Sequence, residues 1–319
     1  MVKKVMIVFF ITMFFCGVNY TRVCAEEHAK GAINWTEGYV AATGYGTATP
    51  SGNKAKDRIK AFRTAEVNAQ RALLEIINGV RIDSETTVQN MALKEDYIKV
   101  RVEGIIKGAE VVKKDIEWID NSPMATIEMR VCLSGFGRCA SSKSLVNSLN
   151  LDQAKAPPYV PARNFISNPP PPEVRQPAIA QDPAKKEAPP VFSAPKPPVY
   201  DSGKPVTGLV LNLEGRSFER EILPVIVTEG ESGSRLTVYS AKSVKPEVFR
   251  TFGVVRYADT QDQAVNTPQV GSNAIIITAS SVTKENMIVI SVEGARILRE
   301  TLVHGNDYLS DAKVVVSSR

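Results

Sequence analysis

A proline-rich segment is the feature that most constrains how this chain can fold. Fifteen of the 20 prolines lie between Pro157 and Pro205, and Ala, Lys, Glu and Gln fill most of the positions between them. A segment of this composition buries too little apolar surface to fold alone and acts as a semi-rigid spacer. The sequence therefore predicts two folded domains, at 26–145 and 207–319, joined by a disordered linker at 146–206.

The linker has three interpretations that its composition does not separate. It is a neutral tether, a span across the cell-wall space, or a docking site for a proline-reading partner. Extended as a polyproline II helix, its residues 150–206 would reach about 180 Å at roughly 3.1 Å per residue. The real reach is expected to be shorter, at tens of ångströms.

Residues 1–25 have the three parts of a secretory signal peptide. A positive start at Lys3 and Lys4 precedes an uncharged, mostly apolar run at 5–15, and small residues then suit cleavage before Glu26. The apolar run is shorter than the roughly 20 residues that a membrane-spanning helix needs. We therefore expect an exported chain that is periplasmic or associated with the outer membrane.

Cleavage before Glu26 would leave a chain whose membrane association is only indirect, through a partner. A retained anchor and lipidation at Cys24 are the alternatives, although lipidation normally follows Gly or Ala and Val23 occupies that place. Loss of residues 1–25 removes three of the five net positive charges and leaves about +2. So small a charge excludes a footprint for phosphate-backbone binding, and nucleic acid is not an expected partner.

Two cysteines remain after cleavage, Cys132 and Cys139. Exported compartments are oxidising, so we predict a disulfide between them. Closing this short loop is worth about 2–3 kcal/mol in the chain-entropy model. A redox or metal site is the alternative, but the pair lacks CxxC spacing and has no histidine close in sequence.

The N-terminal domain is predicted to be α+β, in the order β-α-β-α-β-β, after a frayed start at 26–32. Apolar residues at spacings of three and four predict the long helix, and its central alanines indicate close packing on a sheet. Gly44 and Gly46 are interpreted as a bulge or bend in the first strand. The predicted elements are strand 34–49, helix 54–78, strand 80–88, helix 94–107 and a hairpin of 110–119 with 124–133.

The C-terminal domain is predicted to be a second, strand-rich α+β fold. Two pairs of β-branched runs, each separated by a turn-forming segment, indicate two hairpins. The predicted elements are strand 208–213, hairpin 223–228 with 235–239, hairpin 273–281 with 286–293, helix 295–303 and strand 312–317.

The mature sequence supplies little for catalysis, and we predict no enzyme, no cofactor and no metal site. Its only histidines are His28, in the frayed start, and His304, at a predicted helix end where a histidine suits the helix dipole. Asp307 and Asp311 are close in sequence but lack an evident third metal ligand.

Two other groups of residues are weighed against plain structural roles. Glu219 and Glu221 would share one side of a possible strand and are interpreted as a solvated face. Trp35, Tyr39 and Tyr45 are a possible binding surface, on which sugar rings would stack, although core packing is expected for at least one of them.

Residues 34–133 resemble the family that joins a twenty-kilodalton surface lipoprotein to the N-terminal domain of flagellar assembly protein T. The resemblance is carried by the runs at 35–40 and 44–48, the alanine-spaced helix at 61–75, Asn78-Gly79-Val80 and Val111-Val112. It covers a third of the chain and implies an envelope location with a role in assembly or attachment. It supplies no catalytic residues, and the chain departs from the lipoprotein branch in lacking a convincing lipidation cysteine.

Two functions follow as hypotheses. The first is a non-enzymatic, exported envelope scaffold or assembly factor that acts on other envelope proteins, with flagellar assembly as its more specific form. The alternative is a binding module for peptidoglycan or exported polysaccharide that uses the aromatic surface named above.

Overall fold

The computed structural model describes residues 29–140, 143–151, 200–230, 233–303 and 306–319. The predicted signal peptide, most of the predicted linker, His28 and His304 lie outside the described residues. Each flank of the linker carries one sheet and its helices, and we call these the N-terminal unit (29–151) and the C-terminal unit (200–319). The predicted α+β class is confirmed, since both units combine helices with a sheet.

The N-terminal unit is a four-stranded antiparallel sheet with helices packed on one face. The strand order is β1-β2-β4-β3, which leaves β1 and β3 at the edges. The elements are β1 (Ala29–Asn34), β2 (Tyr39–Thr47), α1 (Lys54–Gly79), α2 (Val88–Lys94), α3 (Asp96–Lys107), β3 (Glu110–Ile119), β4 (Ser122–Cys132) and α4 (Leu145–Leu149).

Close contact between α1 and β2 explains the glycines of the first strand. A Cβ on Gly44 would lie 2.2 Å from the Ala65 carbonyl oxygen, and one on Gly46 would lie 2.3 Å from that of Ala61. The pairing of β2 with both neighbours has no register shift, so the predicted bulge at these glycines is wrong. The predicted close approach of the helix alanines to a sheet is confirmed, because Ala61, Ala65 and Ala69 are fully buried.

Two other predictions about the N-terminal unit are wrong in detail, and one helix was not predicted. The frayed start contains β1, which pairs along β2, and a turn at 35–38 separates the two strands. Residues 80–88 form a turn closed by an isolated bridge between Arg81 and Thr87 instead of a strand. The predicted helix at 94–107 corresponds to α3, Asp96–Lys107, but the sequence did not predict α2, which precedes it and is separated from it by the extended backbone of Glu95 (φ −138°, ψ 101°).

The C-terminal unit contains a seven-stranded mixed sheet in the order β7-β6-β10-β9-β5-β11-β8. Both predicted hairpins are confirmed, as β6 with β7 and β9 with β10. Strand β5 lies between β9 and β11 and pairs in parallel with both. The elements are β5 (Gly208–Asn212), β6 (Ile226–Glu229), β7 (Arg235–Tyr239), α5 (Pro246–Phe252), β8 (Arg256–Ala258), α6 (Gln261–Val265), β9 (Ala274–Val282), β10 (Ile288–Ile290), α7 (Val292–Val303) and β11 (Val314–Ser317).

The two units pack against each other along a surface that we call the seam. Backbone N–H groups of Ile222 and Leu223 donate to the carbonyl oxygens of Arg81 and Ile82, at 3.0 and 2.7 Å. The segment 80–88, which the sequence predicted as a strand, therefore forms backbone hydrogen bonds with the C-terminal unit instead of within its own sheet. One hydrophobic core of buried residues runs through both units.

Aromatic rings close the seam beside this backbone pairing. Trp35 meets Tyr257 edge to face with ring centroids 5.4 Å apart, and Phe136 stacks on Phe252 at 5.3 Å. Such ring pairs add about 0.5–1.5 kcal/mol each beyond the area that they bury. Folded structure also extends into both ends of the stretch predicted as linker, since α4 and the buried Val206 lie within it.

Candidate functional site

Cys132 and Cys139 form a disulfide, with their Cα atoms 5.7 Å apart. Cys132 ends β4, and Cys139 lies in a short 3-10 turn, where its sulfur is 3.8 Å from the Gly38 carbonyl oxygen. Both side chains are buried. The bond therefore ties the end of the sheet to the segment that leads towards α4, which is a structural role.

The three aromatic residues of the predicted binding surface do not lie together. Trp35 is in the turn between β1 and β2 and packs into the seam against Tyr257. Tyr39 and Tyr45 share the face of β2 that points away from α1, six residues apart, or about 20 Å at the rise of a strand. Tyr39 also carries the guanidinium of Arg130 over its ring at 5.3 Å. Only Tyr39 and Tyr45 remain on a shared open face.

The acidic residues near the C-terminus have structural partners. Asp311 accepts a hydrogen bond from the Lys245 ammonium at 2.6 Å, and Asp307 accepts one from the Ser310 backbone N–H at 3.1 Å. The bond to Asp311 raises the pKa of Lys245. Within the described part of the chain, no three His, Cys, Asp or Glu side chains are grouped so as to hold a metal ion.

The interpretation of Glu219 and Glu221 as a solvated strand face is wrong. They lie in the loop before β6, at the seam, and Glu221 is only 2% exposed. Glu219 is exposed and forms an ion pair with Arg81 of the N-terminal unit. The loop turns its two carboxylates into different environments, one in solvent and one inside the seam.

Burial in the seam raises the pKa of Glu221 to about 8, against an ordinary value of 4.5. The Asn286 side-chain amide, which donates to Glu221 at 3.1 Å, and the charge of Arg81 offset part of this effect. The Tyr257 hydroxyl donates to the Glu221 backbone carbonyl at 2.7 Å. A cavity of about 30 Å³ adjoins these groups, which is room for a water molecule or two. The space is too small for an organic substrate.

The exposed side of α1 is the largest concentration of like charge that we find on the described surface. It carries six exposed cations, against one exposed acid, Glu75. We call this surface the basic face; its cations are Lys54, Lys56, Arg58, Lys60, Arg63 and Arg71. Lys56, Lys60, Arg63 and Arg71 lie on the side of α1 opposite the buried stripe, so the sheet fixes them towards solvent, whereas Lys54 and Arg58 lie in line with that stripe at the exposed start of the helix.

The charges of the basic face work against the stability of its own helix. Lys54 and Lys56 lie in the first turn, where the helix dipole favours anions by about 0.3–1 kcal/mol per charge. Lys60 repeats the charge of Lys56 one turn later, which is also unfavourable. The acid of the first turn, Asp57, is buried, and hydrogen bonds from the Ser51 hydroxyl and backbone N–H lower its pKa.

Carboxylates do not neutralise the basic face within the described residues. None of its six cations has a described Asp or Glu oxygen within 4.0 Å. Instead, Lys54 lies 5.4 Å from the centroid of the Trp118 ring, and Arg58 lies 5.6 Å from that of Phe62. Cation–π contacts of this kind keep the charge and leave it available to an anion.

An open groove of about 560 Å³ runs along the other flank of the basic face. Besides Ala48 and Val67, cations and hydroxyl or amide groups line it, from the end of β2 and from α1: Thr47, Thr49, Lys60, Arg63, Thr64, Asn68 and Arg71. These groups donate hydrogen bonds, so the groove suits anionic oxygens. The small net charge expected for residues 26–319 does not show that cations are concentrated on this face, whereas their clustering at 54–63 is visible in the sequence.

Comparison with known proteins finds a similarity for part of the chain. Residues 208–318 match a family model described as the second domain of Treponema pallidum Tp0624. The match covers the sheet of the C-terminal unit and about a third of the chain. No curated protein matches the sequence.

Proposed function

We propose that this chain is a non-enzymatic, exported protein of the cell envelope that acts as a scaffold or assembly factor. The seam is the observation that carries the proposal. Backbone hydrogen bonds and paired rings join the two units through a common core, so surfaces on both units are held in fixed relation. A body of this kind suits the positioning of other envelope proteins.

Fractionation of cells and crosslinking in intact cells test this proposal together. The chain should be recovered from the periplasm or the outer membrane, crosslinked to a defined set of envelope proteins. A matched variant with a disrupted seam, Ile222→Pro, removes the N–H that bonds to the Arg81 carbonyl and should lose some of those crosslinks while remaining exported. Recovery in the cytoplasm, or an absence of specific crosslinks, would contradict the proposal.

A flagellar role is the finer form of the proposal. It is supported by the resemblance of residues 34–133 to the flagellar assembly protein T family, whose carrying residues include Gly44, Gly46 and the helix alanines packed against them. The family model that matches the C-terminal unit is named for a second domain. In this chain, too, the C-terminal unit follows another folded unit. A deletion strain should then have impaired motility that the wild-type gene restores. Normal motility with intact basal bodies would exclude the flagellar form alone.

Binding of peptidoglycan or exported polysaccharide is the second candidate function. Its specific support is that Tyr39 and Tyr45 lie on one open face of the sheet, where rings can stack on sugars. A pull-down on purified peptidoglycan should recover the wild type and lose a Tyr45→Ala variant. Tyr97→Ala, which removes a half-exposed ring on α3, is the matched control. Failure to recover the wild type would count against this function.

A further inference from the structure

We infer that the basic face of α1 binds directly to the surface of an anionic phospholipid membrane. This contact goes beyond the proposed scaffold role. It also replaces the expectation from the sequence that membrane association needs a partner. No helix in the described residues is long and apolar enough to cross a membrane, so the contact would be peripheral.

The cations form a continuous ridge along the helix. Lys56, Lys60, Arg63 and Arg71 follow one another at spacings of four, three and eight residues, which keeps them on one side of α1. At 1.5 Å per residue the ridge is about 22 Å long, which spans several lipid headgroups. A row of charges on a convex helix matches a plane of phosphates better than it encloses one small anion.

Exposed apolar side chains lie among these cations. Ile59 is 66% exposed and Val67 is 42% exposed, and both lie on the solvent side of α1. Helices that lie in a membrane interface combine cations with apolar residues that enter the headgroup region. The long stems of Lys and Arg allow the charges to reach phosphates while the shorter apolar side chains go deeper.

The available hydrogen-bond donors fit phosphate oxygens. The groove beside the ridge presents Thr47 and Thr49 together with the guanidinium groups of Arg63 and Arg71. Arginine binds phosphate through paired N–H donors, and hydroxyl groups add further bonds. One headgroup phosphate can therefore enter the groove while the cations of the ridge contact the adjacent headgroups.

The fold leaves the basic face accessible when the seam is closed. The principal contacts of α1 are with β1, β2, β4, α2 and α3, all in the N-terminal unit. The seam lies beyond the C-terminal end of the helix, at Arg81 and Ile82. Membrane contact through α1 and partner contact through the C-terminal unit are therefore compatible in one molecule.

Vesicle co-sedimentation tests the inference with the purified mature chain, residues 26–319 and disulfide intact. Vesicles of phosphatidylcholine are compared with vesicles that also contain phosphatidylglycerol, at low and high salt. The wild type should bind only the anionic vesicles, and high salt should release it because exposed charges are screened. Each cation near an anionic leaflet changes partitioning roughly fivefold, so Lys56→Gln/Lys60→Gln/Arg63→Gln should weaken binding about 100-fold.

The matched control removes the same charge from the C-terminal unit. Lys242, Arg250 and Lys284 are exposed there, and Lys242→Gln/Arg250→Gln/Lys284→Gln should retain wild-type binding. Circular dichroism verifies that both triple variants fold. Ile59→Ser, which removes an exposed apolar side chain and no charge, should weaken binding less than the loss of three cations does.

Three outcomes would overturn the inference. These are equal binding of the wild type to both vesicle types, equal losses in the two triple variants, and unchanged binding when the basic face is neutralised. Binding to soluble anionic polysaccharide in place of anionic vesicles would also overturn it and would identify a glycan partner. A chain that binds vesicles but is dispensable for envelope assembly would refute the scaffold role alone.

Discussion

Replacing Glu221 by Gln should stabilise the protein, by an amount that grows with pH. The carboxyl of Glu221 is 2% exposed in the seam, and burial raises its pKa from 4.5 to about 8. Glutamine keeps the size of the side chain and an oxygen that can accept the hydrogen bond from the Asn286 amide. It removes the need to bind a proton when the chain folds.

The magnitude follows from the pKa shift. One pKa unit corresponds to about 1.4 kcal/mol, so the shift costs up to about 5 kcal/mol once the pH exceeds the folded pKa. Because the folded pKa is the higher one, the folded state holds the proton more tightly. Stability is therefore unaffected below about pH 4.5, falls as the pH rises from there to about 8, and is constant above that. At pH 7 the expected gain from Glu221→Gln is about 3 kcal/mol.

Denaturant unfolding between pH 4.5 and 9 measures this effect. The free energy of unfolding of the wild type should fall relative to that of Glu221→Gln across this range, and the two should converge at the acid end. Glu219→Gln is the matched control, because its side chain is 68% exposed and its ion pair with Arg81 is worth at most about 1 kcal/mol. A stability difference that is the same at pH 5 and pH 9 would refute the reasoning, as would a variant that is less stable throughout.

Two further predictions concern the N-terminal unit. Gly44→Ala should lower the free energy of unfolding by about 1–3 kcal/mol, because the new Cβ meets the Ala65 backbone. Gly79→Ala, where nothing lies within 4 Å of the added Cβ, should be neutral or stabilising in the same thermal melts; equal losses would contradict the packing argument. Replacing both Cys132 and Cys139 by Ser should cost about 2.5 kcal/mol in denaturant unfolding. The wild type in reductant should match this variant, and a reductant effect that persists in the variant would point to another cause.

Elements with a strong local pattern could be predicted from the sequence. The apolar stripe at 54–78 corresponds to α1, Lys54–Gly79, because a helix of this length repeats its periodicity many times. The hairpin of β3 and β4 was predicted within two residues at each end, since one strand alternates strictly and a turn joins the two. In both cases neighbours in sequence make the deciding contacts.

Elements that depend on distant contacts were predicted poorly. Val80, Ile82 and Val88 alternate as in a strand and are all buried, but residues 80–88 form a turn whose backbone pairs with the C-terminal unit. The burial of Glu221 was missed for the same reason, since nothing local shows that the seam will cover one carboxylate and expose the other. The three short elements α5, β8 and α6 are too brief to repeat a period, and only their packing defines them.

The sequence alone determined the two folded units, the helix of the basic face and the number of charges on it. It did so because composition and periodicity are local properties. Only the tertiary structure decided that the units share a core, that the cations of α1 face solvent without described carboxylate partners, and that Glu221 lies inside the seam. Those outcomes depend on contacts between residues more than 100 positions apart in the chain. Local sequence patterns do not show which distant surfaces will come into contact.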